Sequence, residues 1–524
     1  MRLAAIGVIA ASVSVLVSYQ PPKEYSPVKH YVPQDPVAVE HYIPLDSSVL
    51  GTNTVASGLD VPWEITWGPD NWIWYTEQGG RISKVHPETG EKRVLITIPE
   101  VLRKRSTGLL GMALHPDFER SPYVYVDYTY QKGAEIRTRL VRYTYRNEVL
   151  LDPLVILEIP GNTGHNGSRL TISPDRKLIF ATGDAAIYPN AQNQQSPNGK
   201  ILRLNLDGTI PADNPIKGSP VWSWGHRNPQ GMTYGRNGNL YISEHGDAIE
   251  DEINLIGKGL NYGWPRVEGY CDTPGEEPFC DSIAVEEPLK AWTPTIAPAG
   301  LDFYGSTRIP EWKNTLILTT LKDCSIRILK LNRAGTAVID EKVFLKGVYG
   351  RIRDICVSPE GDIYLSTSNR DWNPAKGFPK PDDDLIIKVT KIKDAGKLLA
   401  SQSARTGNIP ATSTNAESAG AAIYTQYCAS CHKADGQGVA ESFPPLKGAE
   451  QVLGPKRELI RIVLKGLSGP VKVKGVEYDQ HMPAFAFLKD QELAEVLTYI
   501  RMSFGNQASP VTAAEVAAAR KGNP

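Results

Sequence analysis

The sequence predicts an all-β six-bladed β-propeller followed by a small all-α domain, and three observations carry that prediction. One hairpin signature recurs six times between residues 50 and 392. A stretch rich in Ser, Thr, Ala, Gln and Asn, without apolar period, then fills 393–415 and reads as a flexible linker. Beyond it, apolar residues return at helical spacing.

Each copy of the signature is an apolar pair, a turn of Pro, Asp, Gly or Asn, and a run of aliphatic and aromatic residues. The copies are 65–70 into 72–75, 112–116 into 123–126, 170–175 into 178–180, 232–234 into 240–242, 301–303 into 316–318, and 355–359 into 363–365. Alternation with turn chemistry marks a hairpin, and recurrence at about 50 to 70 residues marks a propeller blade. A sandwich or a pair of barrels would supply similar strands without repeating one signature.

In the C-terminal segment 416–508, Asp490 is the expected helix N-cap, with Leu493, Val496, Leu497 and Ile500 at i, i+3, i+4 and i+7. Ahead of it stands Cys428-Ala429-Ser430-Cys431-His432. Two thiols at this spacing each bond one haem vinyl group, and the adjacent histidine becomes an axial ligand of the iron. Met482, before Pro483, is the candidate for the opposite face. No second cysteine pair lies near, which argues against a zinc site. The second domain is therefore expected to be a cytochrome c domain with covalent haem c, followed by an Ala-rich tail, 509–524, without a chemical role.

The chain has 524 residues, 57 basic and 58 acidic, a length that calls for two or more domains. No basic run exceeds 103–105, so neither nucleic acid nor an anionic membrane surface is the expected partner. At the N-terminus, Arg2 precedes about fifteen apolar residues, the pattern of a signal peptide over 1–18. An uncleaved anchor, tethering the protein to a membrane, is the alternative, and either places the mature chain in the periplasm or elsewhere outside the cytoplasm. A Pro-rich spacer is expected over 19–49. Cys271 and Cys280 bracket a Pro/Gly-rich loop that a disulfide can close, while Cys324 and Cys356 are either paired or simply buried.

Propeller loops converge on the axis at one end, so polar residues flanking the blade strands are the site candidates. His165, with Asp184 one hairpin later, has the makings of a carboxylate-oriented general base. Arg227 and Asn228 form a second polar group. A third runs from Gly246 and Asp247 through Asp251 and Glu252 to Tyr262, an oxygen-rich set suited to a hard cation such as Ca²⁺. Lys322, Arg351 and Arg353 are a fourth, with the two arginines at alternate strand positions facing a carboxylated ligand. Taken singly, these also read as a loop histidine, an acidic turn and surface charges.

Several motifs in order resemble the soluble quinoprotein glucose/sorbosone (aldose sugar) dehydrogenase family across roughly residues 50–390. They include Gly108-Leu109-Leu110-Gly111, His165-Asn166-Gly167-Ser168-Arg169-Leu170, Gly225-His226-Arg227-Asn228, and Asn261-Tyr262-Gly263-Trp264-Pro265. The segment 416–505 is similar to a class I cytochrome c. The resemblance implies a six-bladed propeller holding pyrroloquinoline quinone (PQQ) and Ca²⁺. It makes His165 the base at the sugar's anomeric hydroxyl, Asp184 its orienter, and Arg227 with Asn228 the stabiliser of developing charge. Thr295, Lys322, Arg351 and Arg353 would hold the PQQ carboxylates. The carbonyls of Gly246 and Asp247 would reach the calcium, and Asp251, Glu252 and Tyr262 a second calcium. The chain departs from the family pattern at Ser106, Ser168 and Asp247.

The expected activity is oxidation of an aldose at C1 to its lactone, with electrons leaving through the haem to a cytochrome, quinone or oxidase. A non-enzymatic propeller binding carbohydrate or protein, with a separate cytochrome, is the rival reading. Convergence of His165, Arg227 and Arg353 on one axial cavity separates the two.

Overall fold

The structure, a computed structural model, describes residues 39–392 and 418–522. The expected signal peptide or anchor, the spacer as far as 38, the linker over 393–415 and the first two residues of the expected second domain lie outside the described residues.

Six antiparallel sheets follow one another along the chain, and each expected hairpin is the inner pair of a blade. The first five blades are four-stranded meanders spanning 62–97, 109–160, 167–224, 229–292 and 298–344. Their inner strands are Pro62–Trp67, Leu109–Leu114, Gly167–Ile172, Pro229–Tyr234 and Pro298–Tyr304. Together with Ile352–Val357 these six strands touch in sequence order, the last meeting the first, so the sheets close into a ring. Close approach at the axis requires glycine at two positions. A Cβ on Gly111 would lie 2.3 Å from the Ser168 carbonyl, and one on Gly231 would lie 2.2 Å from that of Ala299.

The sixth blade has five strands, in the spatial order 41–44, 49–56, 386–391, 363–367, 352–357. Strand His41–Pro44 and the start of strand Val49–Ala56 therefore belong to the propeller, not to the spacer expected as far as 49. Prolines do describe an extended chain there, but an extended chain also suits a sheet edge. Leu50 and Ile43 bury their side chains in one core with Ile387 and Val389, joining the first strands to the last.

Around the axis the core is polar and charged, although Arg169 Nη2 and Asp127 Oδ2 are buried without a hydrogen-bond partner. Arg169 Nη1 lies 2.5 Å from Glu64 and 3.0 Å from Asp354, with its guanidinium 4.6 Å from the Trp63 ring centroid. Burial pushes the neighbouring Asp127 carboxyl up to about 8, even though Ser168 and the Gly111 N–H bond it.

The second domain packs helices Ala419–Ile423, Lys456–Lys465, Asp490–Met502 and Ala513–Arg520 around one core. Asp490 is the first helical residue, with Lys489 as N-cap and its N–H donating to Glu492 at 2.8 Å. The last helix falls in the expected tail. Val511 and Val516 are buried in the core, and the Thr512 hydroxyl accepts from the Glu515 N–H, so the domain extends beyond 508. Cys271 and Cys280 form a disulfide, while Cys324 and Cys356 are free thiols. No described helix is long and apolar enough to cross a membrane.

If the early strands close the ring, Leu50→Ala removes a fully buried side chain and lowers stability by about 3 kcal/mol in denaturant unfolding followed by tryptophan fluorescence. A loss below about 1 kcal/mol would contradict that closure.

Candidate active site

One cavity of about 1740 Å³ opens at the loop end of the propeller. His165, Arg227, Asn228, Gly246, Asp247, Asp251, Thr295, Lys322, Arg351 and Arg353 all line it, and Cys431 lines it from the second domain. Residues scattered from 165 to 353 of the propeller thus share one space, because each sits on a loop or strand end at the same end of the ring.

His165 stands at φ +52°, just before the inner strand of the third blade. Its Nδ1 donates to Asp184 Oδ1 at 2.9 Å, which leaves Nε2 with the free lone pair. Asp184 is fully buried and immobile. Oδ1 also accepts from the Ala186 N–H at 2.7 Å, and Oδ2 accepts from Trp264 Nε1 at 2.8 Å. Burial lowers the imidazole below its ordinary 6.5, the Arg227 charge lowers it further, and Asp184 opposes both. The histidine is accordingly neutral at pH 7, the form a base requires.

Arg227 lies across the Trp264 ring at 5.2 Å and donates from Nη2 to Asp247 Oδ1 at 2.6 Å. Its Nε is buried without a hydrogen-bond partner. Asn228 accepts from the Gly167 N–H at 3.1 Å, tying this strand end to the one that follows His165. On the other side, Lys322 donates to Thr295 Oγ1 at 2.7 Å, and Arg351 and Arg353 both reach Asp371 Oδ2, at 3.3 and 2.9 Å. Arg227, Lys322, Arg351 and Arg353 are thus gathered on the propeller wall of the cavity, with Asp247, Asp251 and Asp371 among them. Burial, chiefly, holds the Lys322 ammonium below its ordinary value and Arg353 at about 10, and Arg351 Nε lacks a partner, so the group is poised for added negative charge.

The expected acidic set does not assemble as one site. Asp251 Oδ1 accepts from the Gly246 N–H at 2.9 Å, and Oδ2 accepts from the N–H groups of Ile296 and Ala297 at 2.5 and 2.7 Å. Glu252 accepts instead from Asn254 and the Gly269 N–H, while the Tyr262 hydroxyl bonds the Leu255 carbonyl and the Gly257 N–H. Neighbours on strand Asp251–Ile256 point to opposite faces, which sends the two carboxylates apart. Among the described residues no three His, Cys, Asp or Glu are arranged to hold a metal ion. Asp251 instead pins the 245–247 loop, where a Cβ on Gly246 would lie 1.9 Å from the Ile249 carbonyl.

In the second domain, Cys428 and Met482 pack against the helical core. His432 Nδ1 bonds the Pro444 carbonyl at 2.9 Å, fixing the tautomer that presents Nε2 as a ligand. The domain meets the propeller around the cavity. Asn373 Nδ2 donates to the Ser430 carbonyl at 2.7 Å, Lys433 Nζ bonds Asn373 Oδ1, and Trp372 packs on Phe443 at 5.5 Å. Arg105 lies over both rings.

Sequence reasoning missed several lining residues. Asp371 and His245 sit on the same loop end as the others, and that position was their only signal. His245 Nε2 bonds the Pro298 carbonyl at 2.9 Å, and burial lowers its imidazole to about 3. Tyr188 lies parallel to His165, with ring centroids 6.5 Å apart. Lys200 Nζ gathers the carbonyls of Asn190, Ala191 and Asn198 at 2.7 to 2.9 Å, fixing the segment that carries Tyr188.

A propeller with a carboxylate-oriented histidine and a cationic clamp in one axial cavity, joined to a helical domain bearing the Cys428 to His432 motif, is the arrangement of a dehydrogenase that carries a cytochrome c module. Comparison with known proteins agrees. Residues 59–373 match the glucose/sorbosone dehydrogenase family model and residues 417–503 the cytochrome c model. The chain belongs to the glucose/sorbosone dehydrogenase family and carries a C-terminal cytochrome c domain. Quinoprotein glucose dehydrogenase B of Acinetobacter calcoaceticus is 33% identical over 410 residues, covering 62% of this chain and 86% of that protein. Cytochrome c-552 of Thermus thermophilus is 43% identical over 110 residues, 19% of this chain and 74% of its own. The PQQ-bound form of aldose sugar dehydrogenase from Streptomyces coelicolor superposes with TM-score 0.57 at 32% identity, covering 66% of this chain and 98% of its own.

Histidine-resolved NMR titration is expected to place the His165 midpoint below 6.5, and Asp184→Asn to move it further down, because the carboxylate supports the imidazolium. A midpoint at or above 6.5 would contradict the site's electrostatics.

Proposed function

We propose that the chain is an exported, PQQ-dependent sugar dehydrogenase. It oxidises an aldose at C1 to the lactone and passes electrons through its own covalent haem c to an external cytochrome, quinone or oxidase. The observation that carries this reading is the single cavity in which the His165 and Asp184 pair, Arg227 and the clamp of Lys322, Arg351 and Arg353 meet Cys431. The rival binding propeller has no use for a base oriented by a fully buried carboxylate.

The residues present fit the cofactor. Lys322, Thr295, Arg351 and Arg353 would hold the carboxylates of PQQ, and the partnerless nitrogens of Arg227 and Arg351 mark where further acceptors are wanted. When bound, PQQ supplies a two-electron acceptor, which one-electron haem iron cannot be. His165 Nε2 takes the proton of the anomeric hydroxyl as C1 is oxidised, and Asp184 stabilises the resulting imidazolium. Arg227, with Asn228 beside it, offers positive charge where oxyanion character develops. The carbonyls of Gly246 and Asp247, on the loop pinned by Asp251, are the oxygens this chain would offer Ca²⁺ beside PQQ. Cys428 and Cys431 would bond the haem covalently, and His432 and Met482 would hold its iron. Export is supported by the Cys271 to Cys280 disulfide, since such bonds persist in oxidising compartments.

The test is to load purified protein with PQQ and Ca²⁺ and screen aldoses for reduction of the haem α-band. At least one aldose is expected to reduce it. His165→Ala should lower turnover by at least about a hundredfold with the haem spectrum intact. Retained turnover would refute the base assignment, and the absence of any oxidised aldose would refute the function.

A further inference from the structure

We infer that the sugar site is completed by the cytochrome domain, with His481 as a positioning residue that holds Asp247 and, through it, Arg227. The inference rests on the dehydrogenase reading and deepens it.

Asp247 divides its carboxylate between the two domains. Oδ1 accepts from Arg227 Nη2 at 2.6 Å, and Oδ2 accepts from His481 Nε2 at 3.0 Å. The other His481 nitrogen, Nδ1, bonds Ser468 Oγ at 3.1 Å. Both residues stand on a stiff support, because Leu467 and Met482 exchange reciprocal backbone hydrogen bonds of 2.9 Å. Gly466 allows the two segments to meet, since a Cβ there would lie 2.3 Å from the Met482 carbonyl. The His481 ring also meets Tyr188 edge-on at 5.2 Å, and Tyr188 in turn lies parallel to His165. His481 thus touches both the arm that aims Arg227 and the ring beside the base.

This geometry sets a direction of dependence. Asp247 is the carboxylate that Arg227 bonds through its side chain, and Arg227 Nε has no hydrogen-bond partner, so if Asp247 turned away the guanidinium would keep its stacking on Trp264 but lose the bond that aims it. Removing His481 leaves Asp247 Oδ2 without its bond across the domain boundary and releases the rotation of both side chains. A displaced arginine weakens transition-state stabilisation more than sugar binding, so the loss falls on kcat rather than KM. Docking of the acceptor domain would then be a condition for efficient chemistry in the propeller, and not only for electron exit.

The experiment uses the full chain, loaded with haem, PQQ and Ca²⁺, and a soluble dye that takes electrons without the haem. His481→Ala is expected to lower dye-linked kcat about tenfold with KM nearly unchanged, and His481→Gln, which keeps an N–H donor, to restore most of the loss. The methionine-to-iron absorption band, measured on the same samples, should be that of the wild type, which separates the effect from damage to the haem ligation. Wild-type dye-linked kcat in His481→Ala, a loss confined to KM, no rescue by Gln, or a lost methionine-to-iron band would each overturn the inference alone. A wild-type chain that oxidises no aldose would overturn the function, and this inference with it.

Discussion

Closure of the six-sheet ring is the constraint on which the rest depends. The catalytic candidates lie on loops and strand ends of different blades, and no local motif brings His165, Arg227, Lys322 and Arg353 together. They meet because six inner strands surround one axis, and the ring stays shut because residues 41–56 add to the sheet formed by 352–391. The buried charges of Glu64, Arg169 and Asp354 link blades at that axis. Such a network is costly to break, since each partner would leave an uncompensated buried charge. The floor of the cavity is therefore rigid before any ligand arrives, and preorganisation of this kind is what an electrostatic active site needs.

On that floor, two kinds of polarity are kept apart. His165 is held by a fully buried carboxylate with three donors, which settles its tautomer. Across the cavity, positive charge outnumbers negative, and Asp371 alone bridges two arginines. The cytochrome domain then lies over the same opening through Asn373, Trp372 and Asp247. Its contacts come from the helix that carries Cys431, from Phe443 and from the loop that carries Met482. The segments expected to hold the iron are thus also the segments that face the propeller.

Much of this was legible in the sequence. All six hairpins became the inner pairs of blades, because alternation and turn chemistry are local properties that the ring preserves. The cytochrome domain announced itself through five residues, Cys428 to His432, whose spacing has a direct chemical meaning. What stayed hidden depended on distance. Ile43 finds Ile387 and Val389 only after the ring closes, so residues 41–49 read as spacer. Val516 meets its core only through tertiary packing, and an Ala-rich tail gave no hint of it. Asp251 and Glu252 misled through adjacency, since consecutive strand residues face opposite ways. His481 was silent because its partner, Asp247, lies 234 positions away and on the other domain.

The central claim is that oxidation and electron exit belong to one chain, with the haem domain docked on the cavity where the sugar reacts. Its most direct test is stopped-flow mixing of an aldose with PQQ- and Ca²⁺-loaded protein, following haem reduction over about a tenfold range of protein concentration. Transfer within one chain predicts a first-order constant that does not change with concentration. A rate constant rising in proportion to protein concentration would mean that electrons pass between molecules, and would contradict the account.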